Sequence, residues 1–389
     1  MSESAKIVIM GDIFPTPINY DLFKQGNAEQ IFSSKVCEIV ASADLSICNL
    51  EGCFTGEEVP EKMKDGPNIR APKETIKGLA NFGIDYVSLA NNHVTDYGNQ
   101  GYLDTLKTLD SVGIKYFGAG INNKSINTHV TIELKGRKIV LYGVSETIEN
   151  VPSDDMAGVN IYDEYRVCSE INELKKNCDY LFVLYHGGVE NIHYNTPSIR
   201  QRFHRMADSG ADIIISQHTH AIGEEEFYNN SYMLYGQGNF CFHFTKRLFE
   251  YNVTGLLLEV YINDEGFNVK KHIVRRVDQG IIYDTEQDFI TFTERSNRLI
   301  KNDIFLNELK VLADEKLILY LEAFRGINYG DKVLKRILPR EKYINYLRSR
   351  YSKKKILKIL LALQCEEFRE VSARGFLNIL EKLEERNNG

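Results

Sequence analysis

Short apolar runs at residues 6–10, 45–48, 86–90, 181–185 and 213–216 are each bounded by polar or glycine punctuation. Runs of this length, apolar at nearly every position, read as central strands buried on both faces. Between them, residues 28–41, 72–82, 100–112, 164–176 and 198–208 repeat apolar positions at helical spacing, and several of these segments close on glycine. That spacing, with a glycine stop, predicts helices. Strands alternating with helices predict a layered α/β core. Two paired runs interrupt the alternation, 130–144 turning near Gly136 and 256–274 turning at Asp264, Glu265 and Gly266. They predict hairpins, and therefore mixed sheets. Beyond residue 285 the turn signals thin and the pattern is helical, which divides the chain into residues 1–284 and a helical C-terminal region, 285–389.

Composition narrows the class. A chain of 389 residues, 43% hydrophobic, can bury one large core and carry a smaller appendage. Its net charge of −7 gives no overall basic field, so nucleic acid is not an expected partner. Seven cysteines without C-x-x-C spacing argue against both a disulfide framework and a thiolate zinc site, and favour a reducing compartment. The N-terminal MSESAKIVIMGD enters the first strand without a leader pattern, and no apolar run approaches the roughly 20 residues that cross a bilayer. A cytoplasmic location is therefore expected. Residues 332–358 hold eleven Lys or Arg against one acid, Glu341, and run into KKKILKILLAL. One reading is a helix that packs Ile356, Leu360 and Leu363 beneath a solvated basic face; the other is a peripheral membrane or assembly contact through 332–363. The acidic EEFREV and EKLEER that follow favour the first.

The chemistry gathers at strand ends. GDIFP (11–15), NLEG (49–52), ANNHVTDYG (90–98), HGGVE (186–190), QHTH (217–220) and GQGNF (236–240) mostly follow buried apolar runs. In α/β folds the C-terminal mouths of the strands face the ligand crevice. Asp12 taken alone is an ordinary turn residue. With Glu51, Asn92, His93, His186, His218 and His220 in the same topological position, the set supplies carboxylates, an amide oxygen and imidazoles to one place. His218 and His220, two apart, face one side if the chain is extended. Imidazoles with a bridging carboxylate suit Mn, Fe or Zn better than Mg or Ca, with one or two ions per chain.

The order GD, NLEG, LANNHxxDYG, HGGxE, HxH and YGxGNF resembles that of the CapA-type proteins of capsule and poly-γ-glutamate biosynthesis, members of the calcineurin-like metallophosphoesterase superfamily. The resemblance runs over residues 5–245. It implies a four-layer α/β/β/α metallophosphoesterase-like sandwich with the site at the sheets' C-terminal mouths. It further implies that Asp12 and His220 hold one ion, that Asn92, His186 and His218 hold a second, and that Glu51 bridges them. By the same likeness His93 is the general acid and Arg70, within GPNIRAP, the basic residue beside the site. One position departs: the wider superfamily carries D-x-H at the first motif, where this chain has Asp12-Ile13-Phe14. Glu190 or Asn239 are the residues that could fill that position. The expected function is a metal-dependent hydrolase of phosphate esters acting on a phosphorylated or polyanionic cell-surface precursor. The alternative is a noncatalytic accessory protein that binds a nascent anionic polymer through its metal centre.

Overall fold

The computed structural model describes residues 3–64, 66–146, 150–243, 252–286, 289–300, 322, 329–356 and 359. The first sheet orders its strands Gly280–Tyr283, Phe267–Val277, Thr254–Ile262, Ala5–Phe14, Leu45–Leu50, Tyr86–Ser88 and Lys115–Phe117, with Asn239–Phe242 also paired to Ala5–Phe14. The last four strands of that order run parallel, Thr254–Ile262 pairs antiparallel to Ala5–Phe14, and Phe267–Val277 pairs antiparallel to Thr254–Ile262 as its hairpin partner. The second sheet orders Glu225–Tyr228, Ser231–Leu234, Ile213–Gln217, Tyr180–His186, Arg137–Ser145 and His129–Leu134. Its four middle strands are parallel and its two edges antiparallel, the mixed arrangement that the two hairpin signals implied.

Period-two alternation sorts the apolar residues into layers. Ile7, Ile9 and Ile47 of the first sheet share a core with Leu141, Phe182, Leu184, Ile213 and Ile215 of the second. The intervening residues Val8, Met10 and Cys48 face the other way and pack with Phe23, Val36, Leu79 and Leu109 of the first helical layer. On the far side, Val140, Val183 and Ile214 pack with Val167, Ile171, Phe203 and Met206 of helices Glu164–Lys175 and Pro197–Asp208. The layers therefore run α/β/β/α, as expected.

The expected helix 28–41 is broken into Ala28–Ile31 and Ser34–Ala41, with Phe32 extended between them. Phe32 bridges to Ile281, and its ring stacks on Phe82 at 3.7 Å and on Phe240 at 5.7 Å. Aromatic packing at that position overrides the helical periodicity.

The chain divides into two compact units, Met1–Leu306 and Asn307–Gly389. In the first unit the helix Ile290–Ile300 lies at the strand Glu225–Tyr228, where the Ser296 hydroxyl accepts from the Glu225 N–H at 3.0 Å. The expected division after residue 284 falls ahead of this helix. In the second unit, Tyr329–Ile337 and Arg340–Ser349 are helices, and Lys335 and the Tyr343 hydroxyl both donate to Glu322 at 2.9 Å. Leu360 and Leu363 of the basic amphipathic run lie outside the described residues. No helix of the described residues is long and apolar enough to cross a membrane.

Candidate metal centre

The central strands deliver their polar residues to one cleft. Asp12 sits at a register shift of strand Ala5–Phe14, level with Asn49 on one neighbour and Asn239 on the other. The preceding Gly11 is needed for that approach, because a Cβ there would lie 2.4 Å from the Gly238 carbonyl oxygen. Glu51 follows the next strand, and Asn92 and His93 follow Tyr86–Ser88. Asn91 fixes this corner: its amide donates to Asn49 Oδ1 at 3.1 Å and to the Leu50 carbonyl at 2.8 Å, while its Oδ1 accepts from the His93 N–H.

Across the cleft, His186 ends its strand level with Gln217, so His218 stands beside it with ring centroids 4.7 Å apart. His218 and His220 both reach the site, but not through the extended chain that their spacing suggested. Their φ angles are 89° and 54°, left-handed conformations that cost on the order of 1–3 kcal/mol each in a residue with a Cβ. That strain is held where the two imidazoles must converge.

The donors form overlapping groups. Glu51, His186 and His218 offer ligand atoms within 4.8 Å of one another, as do Asp12, Glu51 and His220, and Glu190, His218 and His220. Asn92 Oδ1 lies 2.8 Å from His186 Nε2, which adds an amide oxygen to the first group. Glu51 is common to two of the three groups. It is fully buried, both of its carboxylate oxygens lack a hydrogen-bond partner, and its Oε1 lies 3.7 Å from His186, 3.9 Å from His220 and 4.0 Å from His93. An orphaned buried carboxylate ringed by imidazoles is costly without a cation and well served by one.

The protonation pattern agrees with that fit. Burial, then the Asp12 and Glu190 charges, push the Glu51 carboxyl well above its ordinary value. Burial would raise Asp12 too, but the His220 imidazole outweighs it and, with the Asn49 amide, holds the carboxyl at about 2. Burial and neighbouring imidazoles hold His186 and His218 below their usual range, leaving the neutral rings that ligate metals. His220 goes the other way: burial opposes its charge, and contact with Asp12 at 3.4 Å raises it.

His93 is buried at the edge of this set. Its Nδ1 lies 2.7 Å from Asp96 Oδ2, and Lys64 bonds Asp96 at 2.6 Å and sits 3.2 Å from the same ring nitrogen. The Asp96 contact orients the ring so that Nε2 faces Glu51. A cavity of about 470 Å3 opens over the donors, lined among others by Lys64, Asn92, His93, Glu190, His220, Asn239 and Arg276.

Arg70 and the first motif need separate accounts. Arg70 is not among the described residues that line the cavity. Its guanidinium donates to the carbonyls of Gly56 and Glu57 and lies 5.1 Å over the Tyr97 ring, so loop carbonyls hold it away. Among the described residues, Lys64 and Arg276 are the cations that line the cavity. Phe14 turns into the core, 5.1 Å from Phe54, and both residues proposed for its place are close by: Asn239 Oδ1 lies 2.9 Å from His220 Nδ1, and Glu190 lies 3.7 Å from His218. Sequence reasoning did not single out Asp96, though it stands three residues after His93, nor Lys64 and Arg276, which no motif marks.

An α/β/β/α sandwich whose strand mouths bring carboxylates, an amide and imidazoles together carries groups that could hold a metal ion. The chain belongs to the bacterial capsule synthesis protein PGA_cap family, whose model matches residues 6–244. It is 29% identical over 251 residues to the capsule biosynthesis protein CapA of Bacillus anthracis, covering 62% of this chain and 60% of that protein. It is also 29% identical over 238 residues to the PGA biosynthesis protein CapA of Bacillus subtilis (strain 168), covering 60% and 62% respectively. The chain thus matches about three-fifths of the length of these relatives. Among solved structures, a 5'-nucleotidase from Candida albicans SC5314 aligns with 76% of this chain and 54% of its own at 11% identity, with a TM-score of 0.40.

Proposed function

We propose that this chain is a metal-dependent hydrolase of the CapA type that acts on phosphate esters of a phosphorylated or polyanionic cell-surface precursor in capsule or poly-γ-glutamate assembly. The observation that carries the reading is Glu51, whose two buried and unpartnered oxygens stand among His93, His186 and His220. Asp12, Glu51 and His220 would hold one cation, and Glu51, Asn92, His186 and His218 a second; Mn, Fe or Zn suits such nitrogen and oxygen donors. A divalent cation bound there supplies positive charge that polarises a phosphoryl oxygen and makes bound water more acidic.

The chain's own residues do the rest. Glu51 and Asp12 set the position of the reacting group, and Asn49 holds the Asp12 carboxylate in place through a 2.8 Å bond. His93, oriented through Nδ1 by Asp96, gives its Nε2 proton to the leaving oxygen. Lys64 offsets the Asp96 charge and keeps His93 in place. The basic segment 332–363 is the part of the chain we would assign to contact with an anionic membrane face or an assembly partner, with the hydrolase domain in the cytoplasm.

A second reading rests on Phe14. With that ring in the core, the Asp12 group has His220 but not the second imidazole that D-x-H would supply, and a weakly filled half-site suits an accessory protein that grips anionic polymer without cleaving it. Metal analysis of the purified chain followed by a Mn²⁺-supplemented screen of phosphomonoesters and phosphodiesters separates the two. The hydrolase reading expects stoichiometric metal and turnover. Stoichiometric metal with no turnover on any ester gives the accessory reading, and a chain that retains no metal sinks both.

A further inference from the structure

Of the two Lys or Arg residues among the described residues that line the cavity, Lys64 is already engaged, bonded to Asp96 at 2.6 Å and to the Asn92 carbonyl at 3.2 Å. Arg276 differs. It lies near the end of strand Phe267–Val277, its backbone N–H bonds the Val253 carbonyl, and its side chain has no acidic partner among the described residues while it lines the cavity beside Asn252, Asn239 and Phe242. Its neighbour on the strand shows the contrast, since Arg275 is paired with Asp284 at 2.6 Å. Among the described residues that line the cavity, Arg276 is therefore the guanidinium without an acidic counterpart, and His220 and Asn239 line the same cavity. Burial weakens its hold on the proton without removing it. A planar fork of donors in a partly enclosed cleft is suited to grip a carboxylate or phosphate through two parallel hydrogen bonds.

We infer that Arg276 is the anchor for a second oxyanion of the ligand, separate from the group that sits at the Asp12–Glu51–His186 donors, so that the cavity selects ligands carrying at least two anionic groups. The inference rests on the reading of that donor set as the place where the first group binds. It assigns the recognition of the second anionic group to one residue, and both a phosphate-rich precursor and a polycarboxylate chain present that chemistry.

Calorimetric titration of the full chain loaded with Mn²⁺ tests it with three probes: inorganic phosphate, tripolyphosphate and a γ-linked glutamate trimer. Arg276→Ala should weaken tripolyphosphate or the glutamate trimer by about 10- to 100-fold, the size of a lost charge-assisted pair, and leave inorganic phosphate within about threefold. Arg276→Lys, which keeps the charge and loses the fork, should fall between them. Whichever of the two longer probes shows the Arg276-dependent loss names the source of the oxyanion. Equal weakening of phosphate and the longer probes, no weakening of any, or no binding of either longer probe by the unsubstituted chain overturns the inference. Thermal melts of each variant exclude misfolding as the cause of a loss. An Arg276-dependent preference in a chain that hydrolyses no ester leaves this inference standing and removes the hydrolase reading. Hydrolysis with KM unchanged by Arg276→Ala on a multiply charged ester does the reverse.

Discussion

The eight-stranded sheet brings carboxylates and amides to the cleft, with Asp12, Asn49 and Glu51 near or just past the ends of their strands and Asn239 opening the strand beside Asp12, whereas strands of the six-stranded sheet end in imidazoles, His186, His218 and His220. The first side alone is a cluster of hard oxygen donors carrying two acids that repel one another. The second alone is a group of imidazoles, two of them held neutral by burial. A borderline cation that wants both nitrogen and oxygen is matched only where the two faces meet, over the shared core of Ile9, Ile47, Leu184 and Ile215. Metal affinity should therefore report on sheet-to-sheet packing as much as on any single ligand.

The sharpest way to break this comparison is to remove one donor from each side. Glu51→Ala and His186→Ala should each take metal content to background and abolish hydrolysis, read by elemental analysis and ester turnover. If Glu51→Ala keeps its full metal while His186→Ala loses it, the site belongs to the imidazoles and the carboxylate side is incidental. His93→Ala comes next: it should lower kcat by about 10² to 10⁴ with metal content unchanged, because His93 moves a proton and holds no ion. Equal metal loss in this variant would remove its role as an acid. Asn49→Ala, which removes no donor but takes away the bond that holds the Asp12 carboxylate and the 3.4 Å contact to His186, should weaken metal binding by about 10- to 100-fold in a chelator competition.

The smallest effect is on the metal-free protein. The Glu51 carboxyl is raised well above 4.5 in the folded state, by burial first and then by Asp12. The folded chain thus keeps a proton that the unfolded chain releases. Its contribution to stability is complete below pH 4.5 and is lost as the pH rises through the folded value. Metal-free Glu51→Gln should melt higher than the metal-free unsubstituted chain above that pH, on the order of 2 °C for each kcal/mol recovered. Added Mn²⁺ should reverse the ranking. A ranking unaffected by pH or metal would mean that Glu51 is not charged in the cleft.

Much of this was legible in the sequence because buried parallel strands are continuous apolar runs, and whatever follows such a run is delivered to the crevice. Asp12, Glu51, Asn92, His186 and the QHTH pair are visible for that one reason, and the layer order follows from the same runs. What could not be read depends on partners distant in the chain. Phe32 breaks a helix because Phe82 and Phe240 stack on it. Arg70 looked like a site residue from its neighbours in sequence, yet the carbonyls of Gly56 and Glu57 claim it. Arg276 looks like the solvated face of a hairpin, beside Arg275 and Lys270, until the fold turns it to the cavity. The left-handed backbone of His218 and His220 has no local signature at all, since neither is a glycine.

The distances between donors along the chain carry a consequence for how the site is made. Asn49 and His186, 3.4 Å apart in space, are 137 positions apart in sequence, and Asp12 meets the backbone of His218 across 206. During synthesis the acids emerge long before these imidazoles, so the growing chain carries Asp12 and Glu51 without them until about half of the protein has been made. Contacts of such separation form late. The proposed ion would then load as a final act of maturation, on a chain whose two sheets have already closed.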